Sequence, residues 1–303
     1  MTHKDVDDKS KMGAWMLATR PRTLPAAVAP VLVGTAMAIA DKQFAWLPAA
    51  AALTVALLLQ IGVNLANDYF DYIKGIDTQD RLGPPRATQS GLIPAKQVKA
   101  GMLVAIILSV IPGLYLASVG GWPVILIGLF SFAAALAYSG GPYPLASHGL
   151  GDLFVFIFFG LVAVCGTYYV QALQLTPMVW LMGAIQGLLI TAILVVNNLR
   201  DIQTDRRSGK RTLAVMIGEQ GSRIEYLLLL CTAYAIPFIL WLSGRSSAWV
   251  LMPVFSLPLA ISLTRRIWKS AGGPALNQAL ANTAKLTLVY SMLLSIGLIL
   301  SFG

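Results

Sequence analysis

The chain has 303 residues, 57% of them hydrophobic and only 12% charged, with two cysteines and a formal net charge of +9; its mean hydropathy is +0.72. That balance excludes an average soluble domain, and the surplus of lysine and arginine has no soluble face on which it would read as nucleic-acid binding. It describes an all-α polytopic membrane protein.

Residues 1–23, MTHKDVDDKSKMGAWMLATRPRT, are polar, mixed in charge and lack an early apolar run with a small-residue cleavage site, so they read as a cytoplasmic tail and not as a signal peptide. A bilayer core about 30 Å thick is crossed by roughly 20 apolar residues in a helix. Nine such segments follow within one transmembrane domain, 24–303: residues 24–40, 46–66, 98–119, 122–139, 152–172, 178–198, 224–243, 248–263 and 283–302. Pro30, Pro112, Pro237 and Pro253 fall inside four of them and read as kinks whose freed backbone groups are satisfied by neighbouring helices. Cys165 and Cys231 read as small buried hydrophobes.

Of the 22 lysines and arginines, all but Lys42 and Arg245 lie in the tail or in and beside the loops that follow the second, sixth and eighth segments. Basic residues in short loops are retained on the cytoplasmic side. Nine spans, a cytoplasmic N-terminus and an external C-terminus satisfy that asymmetry.

The second segment ends in NLANDYFDY. If its helix continues, Asn64, Asn67, Asp68 and Asp71, at offsets 0, 3, 4 and 7, project from one face. A solvated helix end is the ordinary alternative, but the pattern repeats. In VVNNLRDIQTDRRSGKRT, Asn197, Asp201 and Asp205 are spaced 0, 4, 8, with Asn198 three before Asp201. A basic loop follows each stripe, with Lys74, Arg81 and Arg86 after the first and Arg206, Arg207, Lys210 and Arg211 after the second. The motif regions, about 64–96 and 197–222, thus suggest a distant internal duplication.

Facing carboxylates at a membrane boundary repel one another unless cations neutralise them. Hard oxygen donors select Mg²⁺ or a similar ion, which is held by one or two carboxylates plus substrate phosphate oxygens. Acid, metal, diphosphate and basic side chain in alternation stabilise a departing diphosphate. An ion-coupled transporter built from repeats is the alternative outside enzymes, but it places its polar groups near the bilayer midplane, whereas these stripes lie at cytoplasmic helix ends.

NDYFD with a downstream Asp, paired with NNLRDxxxD and its basic loop, resembles the Asp-rich motifs of the UbiA superfamily of intramembrane prenyltransferases. The likeness runs over nearly the whole chain, including RPRTLP before the first segment and Tyr138 and Gly149-Leu150-Gly151-Asp152 around the loop after the fourth. Gly75 stands where hydroxybenzoate enzymes usually carry a third Asp, with Asp77 two places later, a spacing similar to the naphthoate branch. The resemblance implies a nine-helix UbiA-type bundle in a bacterial inner membrane. It implies Mg²⁺ on Asn67, Asp71, Asp201 and Asp205, with Asp71, Asp201 and Tyr138 as the catalytic groups. Asn64, Asp68, Asp77, Asn197 and Asn198 would support them, and Lys74, Arg81, Arg86, Lys210 and Arg211 would contact the diphosphate.

The implied substrates are polyprenyl diphosphate and 1,4-dihydroxy-2-naphthoate, giving demethylmenaquinone, diphosphate and carbon dioxide; prenylation of 4-hydroxybenzoate or homogentisate is the alternative within the superfamily. Arg22, in preference to Arg20, is the candidate for bidentate pairing with the aromatic carboxylate. Tyr69 and Tyr72 join Tyr138 as candidates for cation–π stabilisation of an allylic cation. His148 is a candidate ring-proton base, and Asp152 the N-cap of the fifth helix. The apolar walls are interchangeable Leu, Val, Ala and Phe, and assign donor length to no residue.

Overall fold

The structure, a computed structural model, describes residues 3–75, 85–141, 143–270 and 272–302. The polar N-terminal stretch is itself a helix, α1 (His3–Thr19). Its Ala14, Trp15 and Ala18 pack with Leu65, Val98 and Met102, so this end of the chain is docked on the bundle. A short 3₁₀ turn, Pro21–Thr23, leads into α2 (Pro25–Ala40) across a bend of 48°.

Next come α3 (Trp46–Ile73), α4 (Ala95–Gly120) and α5 (Trp122–Ser139). The short α6 (Gly151–Val155) continues through a π-helical stretch, Phe156–Val162, into α7 (Ala163–Ala172). Two long helices, α8 (Pro177–Arg207) and α9 (Leu213–Leu242), precede a 3₁₀ segment, Ala248–Ser256, that runs into α10 (Leu257–Lys269), and α11 (Leu276–Phe302) ends the fold.

Each of the nine expected apolar segments is helical, but the expected number of spans is not reached outright. Among the described residues seven helices are long and apolar enough to cross a membrane, or eight if the bent pair ending in α2 counts as one span. The apolar part of α5, Trp122–Tyr138, is shorter than the rest. The chain is a multi-pass membrane protein.

Helix α8 runs through the main core, where Met182, Ile185, Leu189, Ala192 and Val196 have no exposed surface and pack among side chains of α2, α7, α9 and α11. The π-helical stretch lies against α8 backbone to backbone: a Cβ at Gly160 would stand 2.4 Å from the Cα of Gly187. Only glycine permits that approach, and in an apolar solvent close packing of this kind drives helix association. Buried polar groups are paired between helices, as where Tyr290 Oη donates to the Ala233 carbonyl at 2.6 Å and Ser291 Oγ to Gln186 Oε1 at 2.9 Å. Cys165 is buried as expected, whereas Cys231 is exposed on α9.

Both acidic stripes are helical to their ends, because α3 continues to Ile73 and α8 to Arg207. That extension is what places them opposite one another.

Candidate functional site

A cavity of about 580 Å³ lies between α2, α3, α4, α5, α7 and α8. One side of α3 lines it at Leu59, Val63, Asn67 and Asp71, and one side of α8 at Ile190, Leu194, Asn197, Asp201 and Asp205. The α3 residues are spaced i, i+4 and the α8 residues i, i+3 or i, i+4, so each helix presents apolar residues to the deep part of the cavity and oxygen-bearing ones to its end. Arg20, Asn64, Arg86, Tyr138, Asn198 and Lys210 complete the polar end.

The charges there form a connected set. Arg86 Nη2 lies 2.8 Å from Asp71 Oδ2, both side chains being at least nine-tenths buried, and Lys210 Nζ lies 3.6 Å from the same oxygen and 4.0 Å from Asp205 Oδ1. Lys210 therefore bridges the acid of α3 and the acid of α8. On α8, Arg200 holds Asp201 side-on, Nε to Oδ1 at 2.8 Å and Nη2 to Oδ2 at 2.5 Å, and donates also to Asn197 Oδ1 at 2.9 Å and Asn277 Oδ1 at 3.1 Å. A carboxylate has about four acceptor sites, so this grip leaves Asp201 able to accept from the cavity side.

Several expected residues meet in this place: Asn64, Asn67, Asp71, Arg86, Tyr138, Asn197, Asn198, Asp201, Asp205 and Lys210 all line the cavity. Asn64 does so while donating to the Thr19 carbonyl at 2.9 Å and to Thr23 Oγ1 at 3.0 Å, which ties α3 to the turn that carries Arg20.

Others lie elsewhere, for identifiable reasons. Asp68 is buried, but its Oδ2 accepts the Ala87 N–H at 3.2 Å. It thus anchors the loop that delivers Arg86 and does not line the cavity. Lys74 is past the end of α3, exposed, with Nζ donating to the Gly141 carbonyl at 3.3 Å; burial pulls its ammonium below the usual lysine pKa, Asp71 opposes that shift and Lys210 adds to it. Arg211 is exposed and does not line the cavity; its backbone N–H donates to the Ser147 carbonyl at 2.9 Å. Arg22 is exposed outside the cavity, and its neighbour Arg20 takes the cavity wall because it adopts a left-handed conformation, φ 52°, ahead of the 3₁₀ turn.

Of the aromatics, Tyr69 packs edge-on to Phe70 and Tyr72 is exposed, both being turned off the cavity face of α3. His148 stacks on Tyr143 and shares a 2.8 Å hydrogen bond with the Pro144 carbonyl. Asp152 is the second residue of α6 and no side chain caps that helix, so its expected N-cap role is not observed. Arg81 and Asp77 lie outside the described residues. Arg200 and Asn277 are the residues that sequence reasoning missed. Arg200 stands three after Asn197 in NNLRD, a spacing that already puts it beside the stripe, but nothing in the sequence links it to α11.

The donor set suits a hard divalent cation in chemistry: carboxylate and amide oxygens, with no sulfur or imidazole among the described residues that line the cavity. Among the described residues no group of three or more His, Cys, Asp or Glu side chains converges to enclose one ion.

The UbiA prenyltransferase family model matches residues 27–289. The 1,4-dihydroxy-2-naphthoate octaprenyltransferase of Mycobacterium tuberculosis is 39% identical, with 95% of this chain and 97% of that protein covered. The protein of the same description from Escherichia coli is 37% identical, with 96% and 97% covered. In fold, the chain is similar to a UbiA homolog from Archaeoglobus fulgidus bound to DMAPP and Mg²⁺, with a TM-score of 0.62 at 14% identity, over 93% of this chain and 99% of that one.

Proposed function

Because the chain belongs to the UbiA prenyltransferase family, we propose that it transfers a polyprenyl group from polyprenyl diphosphate to 1,4-dihydroxy-2-naphthoate, giving the hydroquinone form of demethylmenaquinone, diphosphate and carbon dioxide. The observation that carries the reading is the meeting of two acid–amide stripes, from α3 and α8, at the polar end of an otherwise apolar cavity. The choice of naphthoate leans on relatives described as naphthoate octaprenyltransferases at 37% and 39% identity. The setting is a bacterial inner membrane with the polar end, and the N-terminus, on the cytoplasmic side.

In this reading Arg86 and Lys210 bind the diphosphate, and Asn67, Asp71, Asp201 and Asp205 hold Mg²⁺, which neutralises charge on the leaving group when bound. Arg200 fixes Asp201 and Asn197 in position through the bonds described above. The allylic C–O bond breaks with its electron pair going to diphosphate. The naphthoate ring carbon that bears the carboxylate supplies the pair for the new C–C bond. The bond to the carboxyl carbon then breaks, its electrons restore the aromatic ring and carbon dioxide leaves, so the hydroquinone forms with no external oxidant or proton source, and a later two-electron oxidation outside this reaction gives the quinone. Arg20 orients the aromatic carboxylate, and Tyr138 faces the allylic carbon with its π-cloud. The apolar walls beyond it keep water from the cation.

Membranes carrying the chain are to be incubated with Mg²⁺, a labelled prenyl diphosphate and a panel of aromatic acids. Label in the naphthoate carboxyl group is expected to leave as carbon dioxide in step with diphosphate. Efficient 4-hydroxybenzoate turnover without naphthoate turnover would overturn the substrate and leave the diphosphate chemistry standing.

A further inference from the structure

We propose that Gly113, Gly128 and Gly166 set how long a prenyl donor the cavity accepts, a role that rests on the prenyltransferase reading above and adds the residues that govern its donor specificity.

Glycine in a membrane helix ordinarily serves close backbone approach. At Gly34, Gly160, Gly183, Gly187 and Gly297 it does: an added Cβ would meet its nearest neighbour at between 2.2 and 3.1 Å. Gly113 of α4, Gly128 of α5 and Gly166 of α7 behave differently. An added Cβ at any of them meets nothing within 4 Å, and all three line the cavity. Helix packing therefore does not account for them, and what the missing side chains leave is cavity space.

Their depth gives that space a use. The cavity follows α3 from Asp71 back to Ala52, roughly 28 Å at the helical rise and nearly the thickness of a hydrocarbon core. Helices α4 and α5 are joined at Gly121 alone, and Gly113 and Gly128 lie roughly 10 Å and roughly 9 Å along them from that turn. Gly166 stands one turn before Val170, which packs with Leu116 and Val124 of those helices. The three positions therefore form one layer of the apolar tract, on three different helices, far beyond the groups that hold the diphosphate. A methyl-branched prenyl chain anchored at the polar end has to pass this layer once it is long enough to reach it. A leucine at any of them would fill the tract at that depth.

The test uses the full chain in lipid vesicles with Mg²⁺, the naphthoate and a graded set of donors from geranyl to solanesyl diphosphate, with kcat/KM measured for each. Gly128→Leu, Gly166→Leu and Gly113→Leu are each expected to lower the long-to-short donor ratio by about 10- to 100-fold, as overpacking does. The donor length at which activity falls should be the same for all three. Gly13→Leu, on α1 in equally open surroundings away from the cavity, leaves the ratio at its wild-type value. Activity on the shortest donors reports that each variant is folded, and three helices keep the test alive if one variant is not. Equal loss on every donor in all three variants, or an unchanged ratio, overturns the proposal while wild-type turnover leaves the prenyltransferase reading intact. A wild-type chain that turns over no prenyl diphosphate overturns both.

Discussion

Arg200 and Asp201, adjacent in the chain, face each other across a side-on pair, 2.8 Å from Nε to Oδ1, while the same guanidinium reaches across to Asn277 of α11 at 3.1 Å. Arg200 is only 2% exposed. A buried guanidinium whose donors are shared among one carboxylate and two amides fixes the second acidic stripe relative to the last helix of the bundle. Asp201 is therefore presented to the cavity in one orientation.

Removing one partner of a buried pair leaves the other charged and unpaired, at a cost of about 3–5 kcal/mol. Arg200→Met is accordingly expected to lower the melting temperature of the detergent-solubilised chain sharply, and Arg200→Met with Asp201→Asn to recover part of the loss. Recovery is the signature of coupling in a double-mutant cycle; strictly additive losses would show that the pair is not what holds the helix end.

Asp71→Asn and Asp201→Asn keep shape and remove a negative oxygen donor from each stripe. Turnover is expected to fall about 10²-fold or more, as when one electrostatic contact to a developing charge is removed. Membrane insertion should persist. Near-normal turnover of either variant at limiting Mg²⁺ would count against a two-stripe clamp.

Arg20 lines the cavity and Arg22 does not. If Arg20 pairs with the aromatic carboxylate in the ground state, Arg20→Ala should raise the apparent KM for the naphthoate about 10- to 100-fold, the worth of one charge-assisted hydrogen bond. The KM for the prenyl donor should move much less, and Arg22→Ala should change neither by more than about 2-fold. A larger effect from Arg22 would return the carboxylate to that residue.

Topology is tested with a reporter fused after Gly303, expected to behave as external, and with single cysteines at Ser90 and Ser208 expected to label from the cytoplasmic side. A cytoplasmic reporter would mean an even number of crossings, with the bent pair ending in α2 or the short α5 failing to span.

The acidic stripes were legible in the sequence because helical spacing alone puts Asn64, Asn67 and Asp71, or Asn197, Asp201 and Asp205, on one side of a rod. Hydropathy located the helices for the same reason: in lipid the backbone must satisfy itself within each segment, so length and apolarity suffice. The family could likewise be reached from residues, through two motifs whose pairing is more specific than either alone. Spacing put Asp68 on that same face, but an offset of one residue from Asn67 turns a side chain by about 100°, and only the neighbouring loop decides which way is inward. That loop supplies the Ala87 N–H, and Asp68 turns to it.

The chain by itself thus determined a membrane bundle, its apolar segments and two oxygen-rich helix ends, all of which are periodic or compositional properties of local sequence. Only the tertiary structure decided which basic residues reach the acids, because Arg86 and Lys210 arrive from loops whose paths no spacing rule describes, whereas Lys74 and Arg211 end at the rim. It also decided which glycines join helices and which leave space. Two identical residues differ there only in what stands opposite, a backbone across from Gly160 and an open tract beside Gly166, and that is a property of distance between helices, which sequence does not carry.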